Sequence, residues 1–557
     1  MKKIIAVLAS ALFGLSLFYA AEPVTRKNDD GSISIVAIDK DSSVKTKQKA
    51  DGFKDVTVVN GKKITKLNPV TVDLSEFGNK EVYLKLKADI KLADKAGNIN
   101  DIVWMINDLD AGMPVVCQQK INCDEWVSFE GEIALPLGLK KSLYISGAGL
   151  NFEDLTFYIR NFEVNLSGDG IGEPAAERVN WKDVPSLGKA YKDYFEFGLA
   201  TTFKNEFNTE EGMLGIGHHA TSITMGNEFK PDFLFAWKRP GELVDFVAED
   251  GKTYQMPSNL PVFKDMDMIL RMAKSMGIKV RGHVLVWHSQ TPEWFFKEDF
   301  SGNKNAAYVD AATMTAREEW YIKSVLTHVK EWEEKNNNGK RLIYTWDVVN
   351  EAVADGAGAQ KWLREDSDWY RVFGDETFIL NAFRFANKYA PEDVLLVYND
   401  YNTYTPGKRN AICNLVDEIK AIPDARIDAV GMQSHIKVDY PELRGTNSFE
   451  EAIQSFLARG VDVQITELDI ANGTKPYSSV ILKARYKEVF KICLENRKVD
   501  GKNGVTGVTV WGLNDAGTWL NHQKEYLGHT QYPLLFNADW TTKPAFYGVL
   551  EAAESVK

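Results

Sequence analysis

"TWDVVNEAVADG", Thr345 to Gly356, decides how this chain is read. It opens as a strand, with Val348 and Val349 β-branched and apolar, and Asn350 and Glu351 follow at once. A carboxylate directly behind so apolar a run is either a solvated strand end or a proton donor placed for chemistry. "VQITELDI" has the same form, with Glu467 behind its apolar residues. Further strand-like runs are "FEFGLA", "SITMGNE", "KVRGHVLVWHS", "VLLVYNDYN", "DAVGMQSHI" and "GVTVWGLND". Amphipathic helical patterns such as "MDMILRMAKSMG" and "EEAIQSFLARG" separate them. Eight strands alternating with helices predict an α/β fold, a (β/α)8 TIM barrel, whose site forms at the C-terminal strand ends. Those ends carry Asn227, His283, Glu351, Asn399, His435, Glu467 and Trp511.

Upstream, the text changes period. "DVTVVN", "EVYLKLKADIKL", "DIVWMIN", "EWVSFEGEIALP", "SLYISG" and "LTFYIRNFEVNL" alternate apolar and polar residues between Gly, Asn and Asp turns. This predicts an antiparallel β-sandwich, jelly-roll-like, ahead of the barrel. The stretch 22–52 is polar and reads as an irregular lead-in, and "GDGIGEP" reads as a linker. The expected organisation is 1–21 signal peptide, 22–167 β-sandwich, 168–185 linker and 186–557 barrel. The signal reading rests on Lys2 and Lys3, the apolar run Ile4 to Tyr19, and Ala20 and Ala21. It predicts a secreted protein, extracellular or periplasmic, with no membrane span after cleavage.

The 557 residues exceed what one compact domain usually holds. The formal net charge of −12 disfavours nucleic acid, whose phosphates repel an acidic chain. The 14 Trp and 21 Tyr suit stacking on flat ligands such as sugar rings. Cys117 and Cys123 are close enough in sequence to close a small loop in an oxidising compartment, while Cys413 and Cys493 read as buried thiols. No cysteine or histidine has metal-ligand spacing, so neither a metal nor another cofactor is expected.

Paired carboxylates are what glycoside hydrolysis needs: one protonates the leaving oxygen, the other attacks the anomeric carbon or activates water. The barrel brings Glu351 and Glu467 to one rim. Asn350 is placed to bond a sugar hydroxyl. Asp469, two residues past Glu467 on the same strand face, is placed to orient His435, which in turn holds Glu467. Gln433 stands beside them. His283, Trp287 and Gln290 in "RGHVLVWHSQTPEWF" offer ring-hydroxyl contacts and a stacking surface, as do Asn227, Lys230, Trp511 and Trp519.

"GHVLVWHSQTPEW", "YTWDVVNEAVAD", "LVYNDYN", "DAVGMQSHI", "ITELDI" and "WGLNDAGTW…PLLFNADWTTKPAFYGV" together resemble the family 10 glycoside hydrolases, mostly endo-β-1,4-xylanases. The resemblance runs from about Asp193 to Ser555, with the motifs in strand order. It implies that Glu351 is the acid/base and Glu467 the nucleophile of a retaining hydrolysis. It places Asn227, Lys230, His283, Trp287, Gln290, Asn350, Gln433, His435, Trp511 and Trp519 against substrate, with Asp469 supporting His435. It implies xylan and xylo-oligosaccharides as substrates of a monomer. Gly226, where many members carry Glu, and Asn514 depart from the pattern and bear on fine specificity. The upstream phrases resemble carbohydrate-binding modules of families 22 and 4/9, with Trp126 in the core and Trp104 and Tyr144 as candidate binding aromatics. Two other readings stay open: a noncatalytic polysaccharide-binding barrel, and a barrel glycosidase acting on cellulose or mannan.

Overall fold

Parallel strands covered on both faces read as near-continuous apolar runs and not as alternation. The runs named above behave this way in the computed structural model. It describes residues 178–556 except 204–206, 208, 359–361 and 476, together with strands between Val24 and Ser167 and residues 125–126. The chain divides into two compact units: 1–176 with 472–478 and 518–532, and 177–471 with 479–517 and 533–557.

The second unit holds eight parallel strands: β1 (Glu196–Thr201), β2 (Ser222–Met225), β3 (Lys279–Gly282), β4 (Ile343–Asn350), β5 (Leu395–Asp400), β6 (Ala429–Met432), β7 (Asp462–Ala471) and β8 (Val505–Val510). Their order is β3-β2-β1-β8-β7-β6-β5-β4, and β3 pairs with β4, so the sheet closes into a barrel with no free edge. All ten residues of β7 are buried. Gly282 lies against Trp346, a fully buried side chain, and a Cβ there would overlap the indole ring.

The helices follow their periodicity. Lys264–Met276 buries Met266, Ile269, Leu270 and Ala273 and ends at Gly277, whose φ of 68° suits a residue without a Cβ. Phe449–Leu457 buries Phe449, Ala452, Ile453 and Phe456, and the Ser448 hydroxyl caps it by accepting from the Glu451 N–H. A hairpin, Leu243–Val247 with Thr253–Pro257, was not anticipated; it lies between the short helix Pro231–Leu234 and the helix Lys264–Met276.

In the first unit the strands pair antiparallel in two sheets, as their period-two text predicts. Leu84, Leu86, Ala88, Phe129 and Ile133 are buried there. The stretch 22–52, expected to be irregular, contains three short strands: Val24–Lys27, Ile33–Val36 and Val44–Lys47. Each is too brief for alternation to show against its polar surroundings. Trp126, expected in the core, is half-buried. Cys117 carries a free, buried thiol, which burial pushes up to about 12. The signal segment, the linker 168–174, Cys123 and the side chains of Trp104 and Tyr144 lie outside the described residues.

The long helix Ala311–Asn336 carries one costly residue. Glu318 is fully buried, and both its carboxyl oxygens lack a hydrogen-bond partner. Burial raises its carboxyl well above the usual range. A raised folded-state value contributes stability below the unfolded value and loses it as pH rises. Glu318→Met is therefore expected to gain about 1–3 kcal/mol at pH 8 and much less at pH 4, read as unfolding midpoints. An equal gain at both pH values contradicts this.

Candidate active site

Glu351 is the first residue beyond β4, with φ of 56° in the left-handed region that bulky residues avoid. Three anchors hold it there. Its N–H donates to the Asn399 carbonyl at 2.9 Å. Its carbonyl accepts from Arg364 Nε at 3.0 Å. Its carboxyl oxygens accept from Gln433 Nε2 at 2.8 Å and from Trp287 Nε1 at 3.0 Å. His288 Nδ1 lies 3.8 Å away. Backbone strain held by so many contacts is characteristic of functional positions.

Glu467 projects from β7 with its side chain 7% exposed. Asn399 Nδ2 donates to one oxygen at 2.8 Å, and His435 Nε2 faces the other at 3.3 Å. His435 Nδ1 is in turn 2.9 Å from Asp469 Oδ1, the arrangement the strand spacing anticipates. Burial alone would raise the Glu467 carboxyl, but His435, His283 and the Asn399 amide outweigh it and bring it down to about 2. Burial would likewise lower His435. Asp469 and Glu467 outweigh that and lift it to about 10. Glu467 is thus an anion at neutral pH, paired with an imidazolium.

One run of amides joins the two carboxyls. Gln433 Nε2, which donates to Glu351, also donates to Asn350 Oδ1 at 3.2 Å; the same oxygen accepts from Asn399 Nδ2 at 2.9 Å, which reaches Glu467. A flip of the Asn399 amide would turn its oxygen onto the Glu467 carboxylate; as placed, its Oδ1 accepts from the Thr466 hydroxyl at 2.6 Å. A Cβ on Gly431 would overlap that same oxygen.

The sequence-predicted residues largely assemble here. Lys230 Nζ donates to Gln290 Oε1 at 2.9 Å, and Gln290 Nε2 donates to Asn227 Oδ1 at 3.3 Å. Lys230 is buried, which lowers its ammonium to about 8 despite the pull of Glu467 and Glu351. Its Nζ sits 4.8 Å from the Trp287 ring centroid. Trp287, expected mainly as a stacking surface, therefore also clamps the Glu351 carboxyl. His283 is 2% exposed and held through Nδ1 by Asp347 at 2.8 Å. Trp511 meets His283 and His435 edge-on, with centroids 5.8 and 6.2 Å apart. Trp519 is exposed and falls in the first unit.

Sequence reasoning missed the supports. Arg281 and Asp347 form a buried bidentate pair inside the barrel, Arg281 also reaching Gln464 at 3.0 Å. Mid-strand charges there look like interruptions of an apolar run. Arg364, from the loop after β4, bonds the Tyr401 hydroxyl at 2.8 Å, and Tyr401 donates to Asp355 at 2.7 Å. Lys408, fully buried, bridges Asp355 and Asp400 at 3.1 and 2.8 Å.

The model for glycosyl hydrolase family 10 matches residues 186–552. This chain belongs to glycosyl hydrolase family 10. Its relatives include endo-1,4-beta-xylanase Y of Acetivibrio thermocellus, 37% identical over 373 residues, which is 65% of this chain and 32% of that protein. Endo-1,4-beta-xylanase A of Halalkalibacterium halodurans is 31% identical over 423 residues, covering 69% of this chain and 96% of that one. The chain thus spans about a third of the length of the first relative. Among solved structures, the CBM22-1 and GH10 modules of a Clostridium thermocellum endo-1,4-beta-D-xylanase with xylohexaose align with a TM-score of 0.54 at 27% identity, covering 95% of this chain and 92% of that one.

The His435 and Glu467 directions predict a stability window. Glu467 contributes above its unfolded value near 4.3 and loses the contribution as pH falls toward about 2. His435 contributes below about 6.5 and loses it as pH rises toward about 10. In NMR titration of this family 10 protein, the His435 imidazole is expected to show no midpoint between pH 5 and 8. In Asp469→Asn it gains one there or below. An ordinary wild-type midpoint near 6.5 contradicts the pairing.

Proposed function

We propose that this chain is a secreted endo-β-1,4-xylanase that cleaves internal xylosidic bonds with retention of anomeric configuration. The observation that carries the proposal is the unequal pair. Glu467 is a buried anion oriented by a protonated histidine and an amide. Glu351 is held at the opposite end of the same amide run, toward the half-exposed Trp287 and His288. One group is built to attack and the other to exchange protons.

The steps follow from that difference. Glu467 attacks the anomeric carbon while Glu351 gives its proton to the leaving glycosidic oxygen. The glycosidic bond breaks and a glycosyl ester forms on Glu467. Glu351, now a carboxylate, takes a proton from water, which attacks the same carbon from the opposite side and releases Glu467. Two inversions restore the starting configuration. Asn350, between the two glutamates, is placed to bond the hydroxyl next to the reacting carbon, a contact that strengthens as charge develops. Lys230, Gln290, Asn227, Gln433 and Trp511 supply further hydroxyl and ring contacts.

The names of the relatives support xylan as substrate and a bond within the chain as the point of cleavage. The solved two-module relative supports a carbohydrate-binding-module-like, jelly-roll-like N-terminal domain. The boundaries of that proposal are 1–21 for a cleaved signal, 22–167 for the module, 168–185 for a linker and 186–557 for the barrel. A monomer acting outside the cytoplasm completes the proposal.

The test is the configuration of the first product. Proton NMR of an early xylan digest is expected to show the β-anomer before mutarotation; an α-anomer would sink the mechanism. Glu351→Ala is expected to slow xylan hydrolysis about 10²–10⁴-fold while substrate binding survives. Parallel assays on cellulose and mannan are expected to give little product.

A further inference from the structure

Trp237 stands on the protein surface with 65% of its area exposed. Such a side chain in water contributes nothing to the core, and its backbone is costly as well. Ala236 and Trp237 have φ of 51° and 56°, two consecutive left-handed residues without a glycine. Such a conformation is costly and persists only where the surroundings enforce it.

The surroundings do enforce it. Phe235, immediately before, is fully buried, with ring centroids 5.0 Å from Trp294 and 5.2 Å from both Phe295 and Tyr321. The Phe235 N–H donates to the Pro231 carbonyl at 2.8 Å, the Trp237 N–H to Asp232 at 3.1 Å, and the Lys238 N–H to Phe235 at 3.0 Å. Phe233 meets the Trp237 ring edge-to-face, with centroids 5.6 Å apart, and fixes its tilt. The Val262 N–H ties the next segment to the Leu234 carbonyl at 2.6 Å. The indole is therefore presented rigidly and is not a loose surface group.

Its place relative to the carboxylates is set by short links. Trp237 bonds Asp232, and the Asp232 N–H donates to the Gln290 carbonyl at 2.9 Å. The Gln290 side chain holds Lys230 and Asn227. Two backbone hydrogen bonds thus connect Trp237 to Gln290, at the Lys230–Gln290 end of the site. A pyranose ring has an apolar C–H face that stacks on an exposed indole, and the contact needs no charge.

We propose that Trp237 is the platform of an additional sugar-binding subsite, at the Lys230–Gln290 end of the cleft, which holds a pyranose unit of a long xylan chain remote from the bond being cut. The inference rests on the xylanase reading, and its test separates the two. Steady-state rates are measured on xylohexaose and on 4-nitrophenyl β-xylobioside for wild type, Trp237→Ala and Trp237→Phe. Trp237→Ala is expected to lose about tenfold in kcat/KM on the hexaose, mostly through KM, and to leave the short substrate unchanged. Trp237→Phe is expected to recover much of the loss. Equal rates on the hexaose for all three proteins overturn the subsite while leaving the xylanase reading intact. So does an equal loss on both substrates. If wild type cleaves neither substrate, the xylanase reading falls, and calorimetric binding of xylohexaose to wild type and Trp237→Ala decides the subsite alone. A change in sedimentation with unchanged hexaose kinetics would assign Trp237 to contact between copies of the chain and overturn the proposal.

Discussion

A carboxylate kept ionised where water scarcely reaches is the constraint on which the rest of this barrel depends. Burying a charge is expensive unless partners replace its hydration. Glu467 obtains those partners from three strands. Asn399 on β5 donates directly, His435 follows β6, and Asp469 on its own strand keeps His435 charged. Each partner is fixed by something deeper: Asn399 by Thr466 and the missing Cβ of Gly431, His283 by Asp347, and Asp347 by Arg281. The polar interior is a set of hydrogen-bonded layers that terminates at one reactive oxygen pair.

Glu351 meets the opposite demand. In the proposed mechanism it exchanges a proton during turnover, and hydrogen bonds fix its position. Arg364 reaches its main-chain carbonyl, while neutral donors from Trp287 and Gln433 hold the carboxyl. The shared amides of Gln433, Asn350 and Asn399 then make the placement of one glutamate depend on the other. Substitutions among these three are expected to be non-additive, as for any group of residues acting as a unit.

The parts of this that could be read from sequence are those that local pattern encodes. Apolar runs gave the strands, and the polar residues ending them gave Asn227, His283, Glu351, Asn399, His435 and Glu467. Period two between Glu467 and Asp469 gave the support for His435. What pattern does not encode is distance through the barrel. Arg281 and Asp347 lie mid-strand, where a charge looks like a defect; only closure of β3 on β4 makes them partners. Arg364 comes from a loop with no periodic signal. The role of Gly431 depends on what stands next to it. Trp287 was legible as an aromatic at the rim, but not as a donor to Glu351, because one indole serves both uses. The short strands within 22–52 fall below the length at which alternation separates from chance.

The central claim is that Glu467 attacks and Glu351 exchanges protons. A 2-deoxy-2-fluoro xylobioside with a good leaving group tests it most directly, because the fluorine slows release of the glycosyl ester more than its formation. Peptide mass spectrometry of the inactivated protein is expected to find the fluoro-xylobiosyl mass on the peptide containing Glu467, with the peptide containing Glu351 unmodified. A label on Glu351, or turnover of the reagent with no ester on Glu467, would contradict the account.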